Sequence, residues 1–238
     1  MFNIESLRYL TEGLVQAFVL IVTFDPAVYE IVWISLYCSL VSTVIGSVFG
    51  LPAGFLIGAF DFRGKQTLVT LFNTLMALPT TAVGLFGYAF LSRSGPLGFL
   101  HLLFTPWAII FGEIILCFPI IVALGISTTR AINPQVRQTA LTLGASPFQA
   151  SIAVFIEGKI GYLVCIAAGF ARVIAEVGSA MMLGGNIKGL TRTIPTAIAL
   201  ETGKGEFSLG IALGIILIVL AFSVNIGVQW LRRTGEGK

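Results

Sequence analysis

Charge is what this chain has least of. Only 11% of its 238 residues are Asp, Glu, Lys or Arg, against 56% hydrophobic residues. A soluble domain carries about twice that charged share. The shortage excludes a soluble globular chain and points to an integral membrane protein with several apolar spans. Histidine is scarcer still. His101 is the only one, and it reads as an interfacial residue with no ligand partner. There is no H-E-x-x-H, and a single histidine does not supply a catalytic triad together with a metal site. Cys38, Cys117 and Cys165 all lie inside apolar runs without a C-x-x-C. They read as small core or lipid-facing residues rather than disulfides or metal ligands. No G-x-x-x-x-G-K-[ST] occurs, so no nucleotide phosphate is held here, and any ATP-driven step needs a separate subunit. A catalytic role and a cofactor are not expected. The basic residues behind the formal charge of +3 are scattered, which gives no indication of nucleic-acid binding.

What the chain has in quantity is long apolar runs. Residues 28–60, 66–92, 105–127, 160–183 and 207–231 read as five transmembrane helices, so the predicted fold is an all-α polytopic membrane protein. Residues 7–24 mix Arg8 and Glu12 with apolar residues and read as an interfacial helix, with six spans if they also cross. Asp25-Pro26 ends that stretch where a cleavage site would need small residues, so a removable signal peptide is not expected. Residues 1–27 then form an N-terminal interfacial or additional membrane helix, 28–232 one transmembrane domain, and 233–238 a cytoplasmic tail. Gly46, Gly50, Gly54 and Gly58 recur every fourth residue. They line one helix face that a neighbour can approach closely, either as a sliding contact or as static packing. Pro52 is expected to kink or loosen that helix, and Leu78-Pro79 and Pro119 to interrupt theirs. Gly184-Gly185-Asn186 is expected to open a long polar loop.

Between the third and fourth spans lies the most punctuated segment, 128–159. Asn133-Pro134 is a helix start. Val136, Ala140 and Leu143 follow at helical spacing, and Gly144 stands where a C-cap requires positive φ. Ser146-Pro147 starts a second helix, with Gln149 completing a capping box. The reading is helix, tight glycine turn, helix. Small residues at Ala140, Gly144 and Ala145 allow another backbone to approach. Placing this loop inside puts Arg63, Lys65, Arg130, Arg137, Lys159, Arg232 and Arg233 on the cytoplasmic side, against Arg93, Lys188, Arg192 and Lys204 outside.

Ionisable residues inside spans need a partner or a pathway. Glu113 lies in the third span, and Arg172 and Glu176 are four apart in the fourth, near enough to pair on one helix. They read either as a self-neutralised structural pair or as elements of a translocation path, to which Asn186 is added.

The 128–159 segment resembles the permease signature of ABC importers: Glu-Ala-Ala, three residues, Gly, nine residues, Ile-x-Leu-Pro. Gln138-Thr139-Ala140 falls on the triplet and Gly144 on the glycine. Val154, Ile156 and Glu157 fall on the final motif. Ala140 and Gly144 match, whereas Gln138, Thr139 and Glu157 depart. Farther on, Phe170-Ala-Arg172-Val-Ile-Ala-Glu176-Val-Gly178, Met181-Met-Leu-Gly184-Gly-Asn186, Thr191-Arg192-Thr193 and Ala197-Ile-Ala-Leu-Glu201-Thr-Gly-Lys204-Gly resemble the tungstate-type branch of these permeases, as does Gly95-Pro-Leu-Gly98. The similarity covers roughly residues 30–230. It implies a type I importer permease in a bacterial or archaeal cell membrane, paired as a homodimer. Two ATP-binding cassette ATPase subunits and an extracytoplasmic tungstate-binding protein are the implied partners. Tungstate is the implied substrate, with molybdate its close neighbour. By the same resemblance Gln138, Thr139, Ala140, Gly144, Ala145 and Ser146 contact the ATPase. Thr191, Arg192 and Thr193 then offer hydroxyls and a cation to the binding protein or the anion. The competing reading is a stand-alone secondary carrier with Glu113, Arg172 and Glu176 as its coupling-ion site.

Overall fold

The structure, a computed structural model, describes the backbone of residues 4–236 and the side chains of residues 13–230 and 233. The side chains of Arg8, Glu12 and Arg232 lie outside the described residues. Every regular element among the described residues is helical: α1 (Ile4–Val22), α2 (Pro26–Ala59), α3 (Lys65–Leu75), α4 (Thr80–Leu91), α5 (Pro106–Ala131), α6 (Pro134–Thr142), α7 (Pro147–Glu157), α8 (Lys159–Ile174), α9 (Gly178–Gly184), α10 (Ile194–Lys204) and α11 (Phe207–Glu236), with a 3₁₀ turn at Gly98–Leu100. Helices α2, α5 and α11 are each long and apolar enough to cross a membrane. The number rises to five if α3 with α4 and α7 with α8 each form one broken span. In α1 the described side chains begin at Gly13, and Gly13–Val22 is an apolar stretch. Asp25 ends it as expected and caps α2, its carboxylate accepting the Ala27 N–H at 2.9 Å.

Three expectations need correction. Helix α5 runs unbroken through Pro119; the proline removes one hydrogen bond, and the packing of Cys117, Ile121 and Val122, all fully buried, keeps the helix in place. The fourth apolar run, which α7 meets at a 61° bend, is not continuous to residue 183. It stops at Ile174, and α9 begins separately at Gly178, so Arg172 and Glu176 do not share a helix. The Glu176 carboxylate accepts the Ser179 N–H at 3.1 Å, satisfying one of the free donors of α9. Finally, the segment after Asn186 is not all loop. Thr193 caps α10 with Pro195 in its first turn.

The chain forms two compact units. The first comprises Met1–Val41, Thr80–Glu113 and Ile174–Ser223. Its core joins Val28, Ile31 and Val32 of α2 to Ile194 and Ala197 of α10 and Leu213 of α11. Within it α4 and α9 approach closely: a Cβ added to Gly84 would lie 2.9 Å from Ser179 Cα. The second comprises Ser42–Pro79, Ile114–Val173 and Val224–Lys238. Here the glycine stripe of α2 lies directly on α5. An added Cβ would meet Cys117 Sγ at 2.7 Å from Gly46, the Val122 carbonyl at 2.8 Å from Gly54 and Thr129 Cβ at 2.6 Å from Gly58. Lipid supplies no hydrophobic drive between helices, so such contacts, made possible by missing side chains, carry the packing.

Candidate functional site

The helix–glycine–helix segment forms as its punctuation dictates. The Asn133 side chain accepts the Gln135 N–H at 2.9 Å, opening α6. At the far end Gly144 has φ +87°. The Ala145 N–H donates to the Ala140 carbonyl at 3.0 Å and the Gly144 N–H to the Leu141 carbonyl at 3.1 Å. This paired closure requires a left-handed residue, which glycine adopts without a Cβ penalty. Ser146 and Gln149 then cap α7 reciprocally, satisfying two more free donors. The inner face of α7 is anchored: Val154 packs with Phe55 and Tyr162, and Tyr162 and Thr129 hydroxyls are hydrogen-bonded at 2.9 Å. By contrast α6 buries no residue. Gln138, Thr139 and Gly144 are exposed, as is Ser146, while Ala140 and Ala145 are half-buried. Leu143 is 82% exposed and Phe148 75%. The six residues singled out for ATPase contact therefore lie on one helix and the turn that ends it.

A second site lies between α2, α10 and the turn before it. The hydroxyl of Thr191, fully buried, donates to the Gly184 carbonyl at 2.6 Å and accepts the Ile187 N–H at 2.9 Å. Thr193 is also buried and faces Thr196 across the first turn of α10 at 3.1 Å. Both threonines are thus used in building the turn, and Arg192 is the member of the triplet that reaches a cavity. That cavity, about 310 Å³, is lined by Lys188, Arg192 and Lys204 together with Glu30, Glu201 and Glu206. Glu201 is its buried centre, 3.8 Å from the Arg192 guanidinium and 3.1 Å from the Lys204 ammonium. Sequence reasoning named Glu201 only within a motif and gave Glu30 no role. The three-residue step from Glu201 to Lys204 was the available sign, visible once α10 is recognised as a helix.

The buried ionisable residues fall in different places. Glu113 in α5 and Glu176 before α9 are 2% and 4% exposed. Glu176 reaches Ser179 through the hydrogen bond above, and Gly112, the residue before Glu113, also faces it: a Cβ there would lie 3.6 Å from that of Ser179. Asn186 adopts φ +51° and donates to the Thr196 carbonyl at 3.3 Å, tying the turn to α10. Arg172 sits in the last turn of α8, where its charge complements the helix C-terminus.

No family model matches the chain. Individual proteins do. The tungstate uptake system permease protein TupB of Campylobacter jejuni is 40% identical over 228 residues, covering 96% of this chain and 95% of that protein. Its counterpart of the same name in Peptoclostridium acidaminophilum is 37% identical over 219 residues, covering 92% and 96%. Among solved structures, a chain of a bacterial alginate ABC transporter, crystallised with an alginate pentasaccharide-bound periplasmic protein, superimposes with a TM-score of 0.73 at 18% identity, over 96% of this chain and 88% of that one. That similarity establishes the fold, a type I ABC importer permease fold in a multi-pass membrane protein, and with the sequence relatives it shows that this chain belongs to the tungstate-type family of ABC transporter permeases.

Proposed function

We propose that this chain is the membrane-spanning subunit of an ATP-driven tungstate importer, acting as a homodimer with two ATPase subunits and an extracytoplasmic tungstate-binding protein. The observation that carries the reading is α6, a capped helix with no fully buried residue, whose Val136 alone packs, half-buried, on the Phe55, Val154 and Tyr162 cluster among its described apolar contacts. Beside it the apolar Leu143 is 82% exposed at a glycine turn. A helix of this kind is stabilised by a partner surface. Gln138, Thr139, Ala140, Gly144, Ala145 and Ser146 form the face offered to the ATPase, so 128–159 is cytoplasmic. ATP-driven closure of the ATPase pair moves α6, and α7 passes that movement to the spans through Val154 and Tyr162. The relatives named for tungstate uptake support the choice of anion.

Arg192, with its neighbouring lysines and glutamates, presents a mixed-charge surface to the extracytoplasmic binding protein, and Thr191 and Thr193 hold its turn in shape. A tungstate dianion loses much hydration in an apolar passage. Arg172 offers it a weak transit point. Glu113, Glu176 and Asn186 act by holding the helices of their own unit rather than by binding the anion, since buried carboxylates repel a dianion. Selectivity then resides mainly in the binding protein.

The test is uptake of radiolabelled tungstate into proteoliposomes containing this chain. Uptake is expected only with ATPase, ATP and binding protein all present. Uptake by the chain alone, driven by an ion gradient, would replace this reading with a secondary carrier.

A further inference from the structure

Two cavities of opposite character adjoin each other in the second unit. One, about 340 Å³, is lined by Arg130 and Arg137 with the polar groups of Thr129, Asn133, Gln138 and Ser151, and no carboxylate lines it among the described residues. The amino-terminal turn of α6, at Asn133-Pro134, also borders it, adding the positive end of a helix dipole. Asp61, fully exposed, is engaged by Lys65 at 2.9 Å and feels the Arg130 charge only weakly. The hydrogen bond and charge of Lys65, and more weakly Arg130, keep that carboxyl below the usual carboxylate range. The other cavity, about 420 Å³, is an apolar groove between Pro52 and Leu56 of α2 and Phe148, Ile152 and Phe155 of α7. Phe148, Ile152 and Phe155 recur at four and three residues and share one face of α7. Phe55, Phe60 and Ser151 line both cavities, so the cationic pocket opens into the apolar groove.

A ligand filling both has an anionic head and an apolar tail, and the chain lies in a membrane that supplies such molecules. We propose that the arginine pocket and the groove together seat one anionic phospholipid, its phosphate between Arg130 and Arg137 and an acyl chain along α7. The bound lipid bridges α2, the end of α5, α6 and α7, and so stiffens the segment that moves with the ATPase. The inference rests on residence in the membrane and not on which anion is carried, so its failure leaves the tungstate reading intact.

The experiment uses the full-length chain in detergent, equilibrated with equal amounts of phosphatidylglycerol and phosphatidylcholine. Retained lipid is counted by native mass spectrometry. Phosphatidylglycerol should be enriched roughly fivefold per guanidinium, the worth of one arginine near an anionic head group. Arg130→Gln with Arg137→Gln should bring the two lipids to parity, and Arg130→Lys with Arg137→Lys should keep most of the preference, separating charge loss from misfolding. Ile152→Ser should lower retention of both lipids while leaving their ratio. Parity in the unaltered chain would overturn the proposal, as would an unchanged ratio in the double glutamine variant. Displacement by millimolar glycerol phosphate would overturn it in favour of a soluble-anion site. Retention confined to monomers and absent from dimers would make the groove a seam between copies. Loss of ATPase co-purification in the glutamine variant with an unchanged lipid ratio would assign the pocket to an ATPase carboxylate instead.

Discussion

Adding one methyl group at Gly58 should cost more than its size suggests. The new Cβ would stand 2.6 Å from Thr129 Cβ and 3.2 Å from the Ile126 carbonyl. Rotation of Thr129 relieves neither contact, because Cβ is fixed to the backbone. The helices must separate, or Thr129 must move off its partners. Its hydroxyl donates to the Gly125 carbonyl at 2.8 Å and shares a 2.9 Å hydrogen bond with the buried Tyr162. Overpacking costs about 1–3 kcal/mol, and the weakened hydrogen bond about 1 kcal/mol more. Alanine recovers about 1 kcal/mol through its higher helix propensity. The net expectation for Gly58→Ala is a loss of roughly 1–3 kcal/mol, a fall of several degrees in the unfolding midpoint for a chain of this size. The control is Gly214→Ala in α11, where an added Cβ meets nothing within 4 Å and the propensity gain stands alone. Midpoints are read by size-exclusion chromatography after heating in detergent. If Gly58→Ala melts with Gly214→Ala, the stripe is not a packing surface and the reasoning fails.

Thr191→Val should lower stability by about 2–4 kcal/mol and the midpoint with it, because it strands the Ile187 N–H and the Gly184 carbonyl through one isosteric change, while Thr191→Ser should stay near the unaltered protein; equal midpoints for Val and Ser would refute the role given to the hydroxyl. The three native cysteines are buried, so single cysteines at exposed Lys204 and Thr142 can be read against a quiet background. A membrane-impermeant maleimide added to intact cells should label Lys204→Cys and spare Thr142→Cys, and the reverse pattern would invert the topology. Gly144→Arg places a side chain at φ +87° with open space around it; the strain should cost about 1 kcal/mol and leave the spans folded, yet stimulated ATPase activity of the assembled complex should collapse. Normal stimulation would remove the turn from the motor contact.

Local signals in this chain translated faithfully wherever the chemistry was confined to a few neighbouring residues. Asn133-Pro134, Gly144 and Ser146 with Gln149 specify their turns through hydrogen bonds spanning at most five residues, and each forms as read. The four glycines announced a close contact, but not the partner, because α5 presents Cys117, Val122 and Thr129 from more than sixty residues away. Apolarity alone misjudged the fourth span. Nothing in the hydrophobic run 160–183 marks the break after Ile174, which depends on Glu176 turning back to the Ser179 N–H beside α4. Helix α10 was legible in principle, since Thr193 and Pro195 form a start signal, but Gly184-Gly185-Asn186 and the nearby charges outweighed it. The mixed-charge cavity required α10 first, so Glu30 and Glu201 could not be joined from sequence spacing.

The absence of buried residues in α6 also bears on how such a protein changes over time. A helix packed into its own core must satisfy its neighbours whenever a residue is replaced. Helix α6 is shaped by Asn133 before it and the glycine turn after it, and its outward face answers only to whatever docks there. Substitution on that face is therefore nearly free within this chain, which accounts physically for Gln138 and Thr139 standing where the importer signature has Glu and Ala. In the proposed importer the constraint is transferred to the pair: a permease of this family and its ATPase can drift together, and a mismatched ATPase should fail at the docking face while the permease folds normally.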